Sequence, residues 1–169
     1  QKLMTVVQMG KELGMQPMTA IANINIIKGR AVISSAMLGA LLKESGVEYI
    51  YTKDYEEDSE GRIITELEFE FLSKVTGKPK TAKFSISWGQ MEIAGYTDKQ
   101  NWEKYPKEMM RARCMAYAVR ALFPEVLLGI YTDSEMVDTL SNSAGSNYST
   151  GMNEEGEIII IDATHEEVN

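Results

Sequence analysis

The chain has 169 residues, 44% of them hydrophobic, enough for one domain with a real core and a tail. Its single cysteine rules out an internal disulfide, one His with one Cys cannot build a His/Cys metal site, and no run of 18 apolar residues offers a membrane span. The net charge of -8 is unevenly spread: residues 1–120 hold all 17 Lys and Arg against 15 acidic residues, and residues 121–169 hold 10 acidic residues and no basic one. A body at +2 thus carries a segment at -10, so the acidic total does not argue against a nucleic-acid partner. The sequence opens on Gln1, inside what reads as a helix and without a signal-peptide pattern. The expectation is a trimmed fragment of a protein that works in a reducing cytoplasm.

In chain order, Leu3, Val6, Val7 and Leu13 recur at helical spacing and Gly14 is a stop signal. Gln16-Pro17 is a break. Ile24–Ile27 and Ala31–Ile33 read as short strands around Lys28-Gly29-Arg30, a hairpin. Ser34 or Ser35 caps a helix through Met37, Leu38, Leu41 and Leu42, ended by Gly46. Val47–Thr52 is a third strand and Asp54–Gly61 an acidic turn. From Arg62 to Leu72, Thr65, Leu67, Phe69 and Phe71 alternate with Glu66, Glu68 and Glu70, the pattern of an antiparallel strand with a solvated acidic face. Those glutamates stand about 7 Å apart along the strand, too far to share a cation without other ligands. Lys74–Lys83 reads as a basic loop; Phe84, Ile86 and Trp88 as a further strand; Gly89–Ala94 as a short helix.

Residues 96–131 organise the rest. Pro106 suits a first helical turn and Pro124 ends the helix at Phe123. Apolar residues cover nearly its whole circumference, so it should be largely buried, yet it carries Lys107, Arg111, Arg113 and Arg120. Lys104, Lys107 and Arg111 share one face, and Arg113 and Arg120 roughly the opposite one. A buried cation needs a carboxylate or a phosphate. Two readings stand for each residue. Lys107 and Arg111 either grip phosphates or solvate a face. Arg113 and Arg120 either meet DNA or pair with structural carboxylates. Trp102 either stacks a base or fills the core. Beyond Pro124, Leu127–Tyr131 runs apolar and Thr132 or Asp133 caps a short helix through Met136 and Leu140. Ser141–Gly156 reads as disordered, and Ile158–Ile161 as a lone apolar strand in need of a sheet edge.

No Walker-type loop and no Gly-x-Ser-x-Gly occurs, and His165 lies in the acidic tail. We therefore expect no enzyme, no catalytic residue, no metal and no cofactor. The fold expected is α+β: an antiparallel sheet, made of a hairpin plus a meander, with a long central helix packed on it. Residues 1–140 form the core and 141–169 an acidic, largely flexible C-terminal segment.

The run Trp102-x-x-Tyr105-Pro106-Lys107-x-Met109-Met110-Arg111-x-Arg113, followed by Arg120-x-Leu122-Phe123, Gly129-Ile130-Tyr131 and Asp133-Ser134-Glu135, resembles the RecT/Red-beta family of phage single-strand annealing proteins. So does the earlier order Gly14-Met15-Gln16-Pro17, Ile24 to Lys28, Val32 to Leu42 and Gly46. The resemblance implies an ATP-independent recombination protein of a phage, acting in the bacterial cytoplasm. It implies a homo-oligomeric ring or filament that binds single-stranded DNA, holds an annealed duplex intermediate and works with a partner exonuclease. It also implies a core similar to the Rad-type annealing proteins. Lys107, Arg111, Arg113 and Arg120 fall on the family's basic positions, and Lys28 and Arg30 in its hairpin turn. Glu108 departs from the pattern, because some members are basic there. Adding the residues that combine positive charge with an aromatic gives the expected DNA-binding set: Lys28, Arg30, Lys80, Lys83, Trp102, Lys104, Lys107, Arg111, Arg113 and Arg120. The alternative is an oligomeric protein-interaction scaffold whose arginines are structural and which has no DNA role.

Overall fold

Two prolines bracket the long helix. In the computed structural model, which describes residues 2–127, 130–133, 136, 148–152 and 158–162, that helix spans Pro106–Leu122 (α6). Pro106 sits in its first turn, where a missing N–H costs nothing, and Phe123 leaves helical geometry just before Pro124.

The chain reaches α6 through two helices, a hairpin, a third helix and a meander. Lys2–Glu12 (α1) and Pro17–Asn23 (α2) lead into strands Ile24–Ile27 (β1) and Arg30–Ile33 (β2). The two-residue turn between them, Lys28-Gly29, has positive φ at both positions (47° and 78°), the twist that joins antiparallel strands most directly. Arg30 thus opens β2 instead of lying in the turn. Ser34 caps Ser35–Glu44 (α3), its Oγ accepting from the Met37 amide at 3.1 Å. Strands Glu48–Glu57 (β3), Ile63–Leu72 (β4) and Pro79–Ser87 (β5) form the antiparallel meander. Trp88–Ile93 (α4), with a capping box between Ser87 and Gln90, and Gln100–Lys104 (α5) return the chain to α6. Pro124–Leu127 (α7) and Tyr131–Thr132 (β6) follow.

The fold is α+β, with α6 packed on the meander. Met110, Cys114, Met115, Ala118 and Val119 of α6 share one core with Leu67 and Phe69 of β4, Ile86 of β5 and Leu38, Leu41 and Leu42 of α3. Phe123 meets Phe69 and Phe71 with ring centroids 5.3 and 5.1 Å apart. The buried Cys114 thiol donates to the Thr65 carbonyl at 3.4 Å, and burial pushes its pKa up to about 12.

Several sequence expectations need correction. Hairpin and meander are separate sheets, not one. The hairpin takes its third strand from far away: β6 pairs in parallel with β2, Tyr131 opposite Val32 and Thr132 opposite Ile33. The meander's first strand continues to Glu57 through two bulges, so Asp54 lies in a strand and the acidic turn shrinks. Asp58 closes that turn, accepting from the amides of Glu60 and Arg62 at 2.9 Å each. Cross-strand pairing carries the last strand back to Pro79, so Lys80 and Lys83 stand in β5 opposite Phe71 and Glu68, not in a loop. Trp88 begins a helix instead of ending a strand. Tyr105, with φ -134° and ψ 56°, separates α5 from α6, so Lys104 is not on the same helix as Lys107.

The chain divides into two compact units, Gln1–Met136 and Val137–Asn169. In the second, Tyr148–Met152 (β7) and Ile158–Asp162 (β8) pair antiparallel, so the strand at Ile158 is not alone and part of Ser141–Gly156 is a strand. Most of the helix expected through Met136 and Leu140 lies outside the described residues.

Candidate nucleic-acid interface

Helical phase distributes the cations of α6. Arg111 and Arg113 are two residues apart, about 200° around the axis, so they face different surroundings. Arg111 and Arg120 are nine apart, half a turn out of phase, and belong to two sites instead of one row.

The first site joins the start of α6 to β3. Asp54, its side chain 16% exposed, receives Lys107 Nζ at 2.8 Å and Arg111 Nε at 2.6 Å; Arg111 Nη2 also bonds Asp54 Oδ2. Both cations remain nearly half exposed. Burial alone would raise the Asp54 carboxyl, but the hydrogen bonds from Arg111 and Lys107 outweigh it and hold the group below the usual carboxylate range. The Arg111 guanidinium also lies over the Tyr51 ring at 5.1 Å, and burial pushes the Tyr51 hydroxyl up. Lys104 is exposed and makes no ion pair among the described residues.

The second site is assembled by the β2–β6 pairing. Arg30, at the start of β2, and Arg120, near the end of α6, both lie over the Tyr131 ring, at 4.9 and 5.0 Å. Arg120 Nη2 donates to the Ile130 carbonyl at 3.2 Å, which fixes the helix end against β6. Lys28 stands exposed in the adjoining turn. Tyr131 itself is half-buried, with a ring that two guanidinium groups share.

Of the other expected residues, Trp102 and Arg113 are buried and Lys80 and Lys83 are exposed on β5. Trp102 is 1% exposed and stacks on Tyr96 (5.9 Å between centroids, 14° between planes), with Trp88 on another side. It fills the core, so a base cannot stack on it in this fold. Arg113 is 2% exposed and lies over the rings of Tyr96 at 4.4 Å and Tyr117 at 5.2 Å. The Tyr96–Tyr117 hydroxyl contact and the Arg113 charge hold the Tyr96 hydroxyl below its ordinary pKa, against the effect of burial. Tyrosine ring faces are thus part of the Arg113 surroundings. Lys83 pairs with Glu68 across the strands at 2.9 Å, which raises its pKa. Lys80 is exposed on β5 beside Lys74, which bonds Glu125 at 3.0 Å; both lysines line an apolar hollow of about 700 Å³ with Phe71, Leu72, Leu122 and Phe123.

Sequence reasoning missed Asp54, Tyr51 and Tyr131. Asp54 was submerged in a run of acids. Tyr131 carried one signal, its place at the end of an apolar run that closes the Gly129-Ile130-Tyr131 motif. Among the described residues no three acidic, His or Cys side chains gather to hold a metal ion, and no helix is long and apolar enough to cross a membrane. Comparison of the chain with protein-family models, with curated proteins and with solved structures finds no match.

Proposed function

We propose that the chain binds single-stranded DNA and anneals complementary strands without ATP, as a phage-type recombination protein similar to the RecT/Red-beta family. The observation that supports this most is the convergence of Arg30 and Arg120, 90 residues apart, on the ring of Tyr131. Sequence-independent grip on a single strand needs positive charge for phosphates and an aromatic face for bases. Tyr131 supplies the aromatic that Trp102 does not. Annealing makes and breaks no covalent bond, so a set of cations and rings is sufficient chemistry. An array of such chains on one strand would multiply weak contacts. The oligomer, the exonuclease partner and a cytoplasmic site of action belong to the same proposal.

The test is fluorescence polarisation with a labelled oligonucleotide of about 50 to 80 nucleotides, long enough to span several sites. Binding should weaken as salt rises, and a complementary strand added second should be retained as duplex. Arg30→Ala with Tyr131→Leu should weaken binding about tenfold, on the scale of one phosphate contact and one stacked base. Absence of binding at low salt would end this reading.

The scaffold reading has its own support: Lys74, Lys83, Lys107 and Arg111 are all engaged by carboxylates of the same chain. A chain that self-associates, ignores DNA and loses melting temperature after Arg30→Ala would favour it.

A further inference from the structure

An anion site is already built at the start of α6, and the chain's own carboxylate fills it. Lys107 and Arg111 are four residues apart on one helical face, so both can reach a single anion. The Arg111 edge formed by Nε and Nη2 is the one that grips carboxylates and phosphates in two parallel hydrogen bonds, and Asp54 takes it. Lys107 closes on the same carboxylate. Asp54 reaches them because β3 bulges on both sides of it, and the next residue, Tyr55, is held at φ 61°, an uncommon conformation for a tyrosine. Outlying backbone of this kind gathers at ligand clamps and switches. Lys107 and Arg111 together outnumber Asp54 by one charge, which Glu108 beside Arg111 balances. Asp54 lies beneath, largely covered, while Lys107 and Arg111 keep nearly half their side chains in solvent. Glu108 is the second acid beside Arg111, and both border a hollow of about 250 Å³ with Tyr49 and Tyr51.

We propose that Lys107 and Arg111 form a binding site for a backbone phosphodiester of single-stranded nucleic acid, which Asp54 occupies in the free protein and gives up on binding. The inference rests on the DNA-binding reading above and adds its regulation. The phosphate replaces one anion with another on a preformed fork, so the cations need no large rearrangement. The carboxylate makes every contact at this site compete with an internal ligand. Binding through it is therefore weak for one chain and becomes effective only where many chains share one strand.

Asp54→Asn keeps the shape and removes the competing charge. Polarisation with the same single-stranded oligonucleotide at about 50 mM salt should show about 5- to 20-fold tighter binding than the wild-type chain, and a log–log salt slope steeper by about one. Adding Lys107→Ala and Arg111→Ala to Asp54→Asn should abolish that gain. A second measurement needs no variant: the Arg111 Nε–H resonance of the wild-type chain should shift when the oligonucleotide is added, as its acceptor changes from Asp54 to phosphate. Wild-type binding with no gain in Asp54→Asn, or with an unmoved Arg111 resonance, overturns the exchange and leaves the DNA reading standing. Loss of binding in a folded Asp54→Asn chain also overturns it, because Asp54 would then position the cations. No binding by either chain overturns both.

Discussion

Arg111 and Arg113 are neighbours but one on the same helix, and they sit in opposite environments. Arg111 is nearly half exposed and clamps a carboxylate. Arg113 is covered and lies between tyrosine rings. The difference is one of phase: α6 turns one residue toward the edge of β3 and the other into the aromatic layer of Tyr96 and Tyr117. The same side chain stays open to solvent in the first place and is covered in the second. Any functional account of this helix therefore has to assign its cations one at a time.

The sharpest attack on that division is Trp102→Ala. Removing a fully buried indole should cost about 3–5 kcal/mol, read as a large fall in melting temperature. A small fall together with lost DNA binding would return Trp102 to the interface. Next comes Arg113→Ala, with an expected loss of about 2–3 kcal/mol from ring contacts and packing. Arg113→Met should lose less, and neither should alter the salt slope of DNA binding in the folded chain. The outer pair reverses this balance. Lys107→Ala with Arg111→Ala should change stability by about 1 kcal/mol, as exposed ion pairs do, while weakening single-strand binding about 10- to 100-fold at low salt. Equal losses of folding and binding would erase the distinction between the two faces.

The smallest effect is a pH dependence. Asp54 has a folded-state pKa below its unfolded value, so its contribution to stability is present above about pH 4 and is lost as pH falls through the folded value. Wild type should therefore melt slightly above Asp54→Asn at pH 7, and the gap should close on acidification. A gap that widened toward low pH would contradict the pairing.

Local chemistry wrote much of this architecture into the chain. Pro106 and Pro124 delimit α6 because proline tolerates a first turn and forbids continuation of the helix before it. Ser34 and Gly46 bound α3 through a side-chain acceptor and a φ of +80°. The alternation from Thr65 to Phe71 marks β4 because a pleated strand turns successive side chains to opposite faces. Other features were settled only in three dimensions. β5 reaches back over Lys80 and Lys83 because β4 offers unpaired backbone groups there, a fact absent from the composition of a lysine-rich loop. Arg30 and Arg120 meet at the Tyr131 ring because β6 pairs in parallel with β2 across 97 intervening residues, and no local pattern encodes such a partner. Asp54 was one acid among several until two bulges aimed it at α6. Propensity and spacing act within a few residues, whereas the partner of a charge or a ring depends on which distant strand arrives beside it.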